Sequence, residues 1–142
     1  MEPLLQDALT YWESKRAGRR MPARRDFDPL LEVPKLVPWI VLVDVLSDPL
    51  DFRFRLVGSG VVDRSQGNHT GKCFSEMPNF GPGSHLWTHR AAVVEMGTPL
   101  RFEPPYVGRA PGVRSVANIH LPLSDDDQTV NMILTVIAFQ GD

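Results

Sequence analysis

Two histidines stand four residues apart within residues 84–96, a segment with helical periodicity. At positions i and i+4 of a helix, His85 and His89 can bring two imidazoles to one metal ion. The segment offers no acidic third ligand at helical spacing, and the chain has neither a CxxC pair nor an HExxH motif. We therefore predict no metal site and expect both histidines at the surface or at the rim of a pocket.

Arg90 lies in the apolar arc of the same predicted helix, together with Trp87 and Val94. A charged side chain in that arc either points its guanidinium at an acceptor inside a pocket or extends along its stem to solvent. We favour the pocket, where Arg90 would bind an acidic group of a ligand.

Motifs for catalysis are missing from the sequence. Ser59, Ser65 and Ser75 lack a G-x-S-x-G context, and no spacing of Asp, His and Ser picks out a triad. There is no GxxxxGK[ST] phosphate loop, and Gly58 and Gly60 lack the third glycine of a GxGxxG motif. We expect a protein that is not an enzyme.

Composition predicts one folded domain. The 142 residues are 42% hydrophobic and 23% charged, with a net charge of −2, which disfavours nucleic acid as a partner. No apolar stretch approaches the ~20 residues of a membrane span, and the first residues lack a signal-peptide pattern. Because Cys73 is the only cysteine, no internal disulfide can form. We expect a cytoplasmic protein without a membrane partner.

Two segments have the periodicity of amphipathic helices. Residues 3–17 place apolar side chains at spacings of three and four. Residues 84–96 form the second helix candidate, with Ser84 as a predicted cap and Gly97 as a predicted end.

Five runs have the composition or alternation of strands, namely residues 39–45, 52–57, 100–107, 113–121 and 129–139. In the second run, Phe52, Phe54 and Leu56 are predicted to share one face. Short connections make neighbouring strands antiparallel. The predicted fold class is α+β, a five-stranded antiparallel sheet with helices on one face and an additional N-terminal amphipathic helix.

Several motifs resemble those of a known family. They are the Tyr-Trp pair at residues 11–12, P-x-R-x-D-x-D-P at residues 22–29, L-x-D-V at residues 42–45 and D-F-R-F-R-L-x-G at residues 51–58. The chain resembles the single-domain PAS proteins of alphaproteobacteria over almost its whole length, most clearly over residues 11–76.

The resemblance implies a sensory role. PAS domains are signalling modules that bind small ligands or cofactors between sheet and helices, or pair with protein partners through the outer face of the sheet. On this basis residues 29–142 are expected to form the PAS domain, and residues 1–28 a helix followed by a Pro/Arg-rich linker. Because no output domain is attached, we expect the signal to pass to another protein.

The resemblance also makes two cofactors, haem and flavin, worth considering. PAS domains can hold haem through a histidine on the long helix, which makes His85 or His89 the axial candidate. Light-sensing PAS domains attach flavin to a cysteine, but the residues around Cys73, TGKCFSEM, do not resemble their NCRFLQ motif. We expect no tightly bound haem or flavin, and a haem or metal sensor remains an alternative.

A ligand pocket is predicted between the helix at residues 84–96 and the inner face of the sheet. The residues expected to line it are Phe52, Phe54, Leu56, Trp87, Arg90, Val94, Met132 and Leu134. The alternative is a core filled at ordinary density, in which case the protein is an interaction module without a ligand.

The N-terminal helix carries an apolar stripe too large to leave in water, formed by Leu4, Leu5, Ala8, Leu9, Tyr11 and Trp12. We predict a homodimer in which this stripe covers the outer face of a partner's sheet, where Val57, Ile133 and Ile137 are expected to lie. The alternative is that the helix folds back on its own sheet.

Overall fold

The computed structural model describes residues 1–65 and 67–141. Within them, five strands form one antiparallel sheet: β1 (Ile40–Leu46), β2 (Asp51–Val57), β3 (Leu100–Phe102), β4 (Val113–Leu123) and β5 (Met132–Gly141). Their lateral order is β2-β1-β5-β4-β3. The last strand therefore pairs with the first, which closes the chain into one sheet. The predicted α+β fold is confirmed.

Four α-helices accompany the sheet in the described residues: α1 (Pro3–Lys15), α2 (Pro29–Glu32), α3 (Ser59–Arg64) and α4 (His85–Met96). Turns of 3₁₀ helix cover Arg24–Asp26, Pro34–Trp39 and Phe74–Glu76. None of these helices has both the length and the apolar character needed to cross a membrane.

The ends of α4 follow from local chemistry. The Ser84 hydroxyl accepts a hydrogen bond from the Trp87 backbone N–H at 3.2 Å, which satisfies one of the donors left free at a helix start. Gly97 ends the helix in the left-handed conformation, with φ of 66°. Both predicted boundaries of this helix are confirmed.

The predicted strand at residues 100–107 is wrong in its extent. Only Leu100–Phe102 pairs with β4, and a loop follows. Pro104 and Pro105 lack the backbone N–H that the strand ladder requires, so pairing ends before them.

The register separates two faces of the sheet. Thr135 lies opposite both Val41 and His120, so these three side chains share the face beneath α4, which we call the inner face. Leu134 lies opposite Leu42 and Leu121 on the outer face. The prediction that Ile133 and Ile137 lie on the outer face is wrong, because they alternate with Leu134 and share the inner face with Thr135.

A bulge in β2 explains a second wrong face assignment. Leu56 lies opposite Leu42, whereas Phe54 lies opposite Val43, so Arg55 is an extra residue in the ladder. Leu56 is thereby turned to the outer face, away from Phe54. Val57, which was expected on the outer face, lies opposite Val41 on the inner one.

Helix α1 covers the outer face of its own sheet. Leu5, Ala8 and Trp12 are buried, and the Trp12 indole N–H donates to the Pro122 carbonyl at 2.8 Å. At the start of the helix, Glu2 accepts a 2.6 Å hydrogen bond from Arg101 of the edge strand. In the structure the helix folds back on its own sheet, which was the alternative to packing on a partner's sheet.

The arginine-rich segment after α1 is fixed to the turn between β4 and β5. Arg19 donates to the Ser124 carbonyl at 2.6 Å, and the Asp127 carboxylate accepts from the backbone N–H groups of Arg20 and Met21. Met21 is fully buried. Residues 1–28 thus contribute to the same core as the rest of the chain.

Replacing Trp12 with Ala should lower the free energy of unfolding by about 3–5 kcal/mol, because the change leaves a cavity and removes the donor to the Pro122 carbonyl. Urea denaturation followed by circular dichroism measures the effect. Thr10→Ala, on the exposed side of the same helix, should change it by less than about 0.5 kcal/mol. Equal losses in the two variants would contradict this packing of α1.

Candidate functional site

A cavity of about 830 Å³ lies between the inner face of the sheet, α4 and two loops at residues 79–83 and 104–108. Sites for small molecules usually measure roughly 300–1,000 Å³. Exposed residues of the two loops and of α4, including Pro82, His85, Pro105 and Val107, line one side of the cavity. The cavity therefore reaches solvent on that side.

Apolar side chains make up most of the wall. From the strands and α3 they include Val41, Phe54, Val57, Val61, Val116, Ile137 and Phe139. Such a wall can exclude water from the apolar part of a ligand.

Three polar side chains in the wall are almost completely buried. Arg90, His120 and Asn118 have exposed fractions of 2%, 1% and 7%. Each has a side-chain atom without a hydrogen-bond partner among the described residues: Arg90 Nε, His120 Nε2 and Asn118 Oδ1. Buried polar atoms of this kind are rare in proteins and call for an explanation.

Among the described residues, Arg90 has only neutral partners. Its Nη1 donates to the Leu86 carbonyl at 3.2 Å and its Nη2 to Thr135 Oγ1 at 3.3 Å, while the guanidinium carbon lies 5.3 Å from the centre of the Phe74 ring. No carboxylate of the described residues pairs with it. Burial lowers the pKa of Arg90 to about 10. The guanidinium therefore remains charged at neutral pH.

Thr135 joins Arg90 to His120, whose Nδ1 lies 2.6 Å from Thr135 Oγ1. Thr135 Oγ1 accepts from Arg90, and in the tautomer with the imidazole proton on Nε2 the threonine hydroxyl donates to Nδ1. Burial, followed by the nearby charges of Arg90 and His89, holds the pKa of His120 well below its ordinary value. His120 is neutral at physiological pH, and its buried Nε2 has no hydrogen-bond partner among the described residues.

The two histidines singled out by their spacing both line the cavity. The His89 ring stacks face to face on Phe102, with ring centres 3.7 Å apart, and the His85 ring lies 5.6 Å from that of His89. Across residues 1–65 and 67–141, no group of three or more His, Cys, Asp or Glu side chains is placed to hold a metal ion. Haem needs only one axial histidine, so its expected absence stays a prediction, tested by the absorption spectrum of the purified protein.

Cys73 lies apart from the cavity wall. It precedes the helical turn Phe74–Glu76, and its backbone N–H donates to the Glu76 carboxylate at 3.2 Å. Burial raises the pKa of the thiol, which lowers its reactivity. The expected absence of a flavin also stays a prediction.

The residues predicted to line the pocket fall into three groups. Phe54 and Arg90 line the cavity, whereas Phe52, Trp87 and Val94 pack in the core beside it, with the Phe52 and Trp87 rings 5.1 Å apart. Leu56, Met132 and Leu134 were placed on the wrong face. The β2 bulge turns Leu56 to the outer face, and Met132 and Leu134 lie opposite Asp44 and Leu42 there.

Sequence reasoning missed Asn118, His120 and Thr135. A signal was present in β4, where Asn118 and His120 stand two residues apart in an otherwise apolar run and must share one face. Their partner Thr135 is brought to them only by the pairing of β4 with β5. No local pattern around Thr135 indicates that pairing.

Comparison with protein families gives one match. The family model described as PAS domain matches residues 2–137, from the start of α1 into β5. No curated protein matches the chain closely enough to count as a relative.

The burial of neutral His120 predicts that the protein loses stability in acid. An unfolded histidine takes up a proton near its ordinary pKa of 6.5, but folded His120 does so only at lower pH. Below pH 6.5 the unfolded state therefore binds more protons, and His120 should reduce the free energy of unfolding by up to about 1.4 kcal/mol per pH unit.

Urea denaturation of the wild type and of His120→Asn between pH 7.5 and 5.5 measures this contribution. The variant should show the shallower dependence on pH. The same slope in both proteins would contradict a neutral, buried His120.

Proposed function

The chain belongs to the PAS domain family, and from that premise we propose that it is a non-catalytic sensor that binds a small molecule in the cavity between the inner face of the sheet and α4. PAS domains are in general sensory or interaction modules rather than enzymes. The family alone does not require a ligand, so the argument for one rests on the cavity.

The observation that carries the proposal is a mostly apolar cavity whose wall includes three buried polar side chains, each with an atom that has no hydrogen-bond partner in the part of the chain that the structure describes. A filled core would leave no such volume, and a purely structural cavity has no reason to hold a charged side chain. Apolar walls with a few convergent polar groups are the usual form of a small-molecule site.

The architecture supports a route for the signal. In β4, His120 faces the cavity while Ile119 and Leu121 face the side that α1 covers. A ligand that shifts β4 and β5 would also alter the packing of α1. We propose that a partner protein senses this change, and that it does so in the cytoplasm, since a lone cysteine suits a reducing compartment.

A cavity-filling substitution tests the proposal. Ile137→Trp places an indole in the cavity, and Leu31→Trp places one at a position that is 82% exposed. The neutral apolar dye N-phenyl-1-naphthylamine should bind the wild type and Leu31→Trp, with increased fluorescence, but not Ile137→Trp. Circular dichroism confirms that all three proteins are folded.

Two results would contradict ligand binding in the cavity. One is that the wild type binds neither this dye nor any member of a small-molecule collection in native mass spectrometry. The other is that Ile137→Trp binds the dye as well as the wild type does. Either would favour an interaction module without a ligand.

The homodimer remains a separate prediction. Because Leu5, Ala8 and Trp12 are covered within one chain, a dimer built on α1 requires two chains to exchange their helices, each covering the partner's sheet. Light scattering should then give twice the chain mass of 15.9 kDa. A mass of 15.9 kDa at all concentrations would contradict the dimer.

A further inference from the structure

The charge balance of the cavity wall is unusual. Among the described residues that line the cavity, Arg90 is the only Lys or Arg, and there is no Asp or Glu. Withdrawing a guanidinium from water costs several kcal/mol unless an opposite charge and good hydrogen bonds offset it. Within residues 1–65 and 67–141, the contacts of the Arg90 guanidinium are a carbonyl, a hydroxyl and an aromatic ring. A compensating negative charge from outside the protein would complete the site.

The protonation states of the histidines near Arg90 determine how much negative charge the ligand should carry. Burial, with the charge of Arg90, holds His120 neutral, and burial likewise lowers the pKa of His89. The buried part of the site thus carries one positive charge. A single negative charge neutralises it, whereas a dianion such as a phosphate monoester would leave an unpaired negative charge in the same apolar surroundings.

The free polar atoms suit a carboxylate. Arg90 Nε is a donor without a partner among the described residues, and His120 Nε2 is a second one in the tautomer in which Thr135 donates to Nδ1. The two oxygens of a carboxylate can accept from both. The third such atom, Asn118 Oδ1, is an acceptor without a partner among the described residues, so it suits a donor elsewhere on the ligand and not the carboxylate. The rest of the wall, from Phe54 to Phe139, offers hydrocarbon and aromatic surface.

From these observations, and resting on the proposed function, we infer that the ligand is an amphipathic organic acid. Its carboxylate binds at Arg90 and His120, and its apolar part lies along the wall formed by Val41, Phe54, Val57, Ile137 and Phe139. Selectivity for the acid comes from the buried charge, and affinity for the body of the ligand comes from the apolar wall.

The experiment compares head groups on one alkyl chain. Decanoate, decanol, decylammonium and decyl phosphate are each titrated against the complex of the wild type with N-phenyl-1-naphthylamine at pH 7.5, below the concentrations at which they aggregate. Decanoate should displace the dye at concentrations about 10- to 100-fold lower than decanol, the usual effect of a charged hydrogen bond. Decylammonium should be the weakest.

A pair of variants assigns the preference to Arg90. Arg90→Met keeps an unbranched, apolar stem but removes the guanidinium and its charge, so decanoate should lose its advantage over decanol while dye binding remains. Arg25→Met, at an exposed position, should leave the preference unchanged. If Arg90→Met does not fold, the comparison of head groups on the wild type still decides.

The outcomes separate this inference from the proposed function. If the dye binds in the cavity and decanol displaces it as well as decanoate does, the cavity binds small molecules but the acid assignment is wrong. If decyl phosphate is the strongest competitor, the single-charge argument is wrong. If no compound binds and the dye does not bind either, the proposed function fails as well.

Discussion

The fold depends on helices that cover both faces of its sheet. Strand β4 is buried over most of its length and β5 is buried at residues 133–136, because α1 lies on their outer face and α4 lies over their inner face. Without α1, an apolar surface that includes Ile119, Leu121 and Leu134 would meet water. The N-terminal helix is therefore part of the fold, and the match of the family model from residue 2 agrees with this.

The same arrangement explains the character of the site. Because α1 and the outer face supply a dense apolar core, the inner face can hold a cavity and several polar groups without loss of the fold. Phe52, Phe74 and Trp87 fill one part of the space between sheet and helix, and the cavity occupies the part nearer His120. Arg90 contacts both parts, since it packs on Phe74 and hydrogen bonds to Thr135.

Much of the fold could be predicted from local sequence patterns. The errors arose where a feature depends on strand pairing, which local sequence does not reveal. The cap at Ser84 and the end at Gly97 are set by the backbone chemistry of one helix. The face assignment of β5 failed because a strand buried on both sides has apolar residues on both, so alternation cannot say which side is which. The predicted face of Leu56 was wrong because the bulge at Arg55 depends on how β2 pairs with β1.

The sequence by itself determined the order of helices and strands, the family and the odd position of Arg90 in an apolar arc. Those features depend on periodicity, capping and motifs within a few neighbouring residues. The tertiary structure alone decided that α1 covers its own sheet, and that Arg90 meets Thr135 and His120. The contacts of Thr135 with Arg90 and with His120 join residues 45 and 15 positions apart in the chain. They exist because strand pairing and helix packing bring distant residues together.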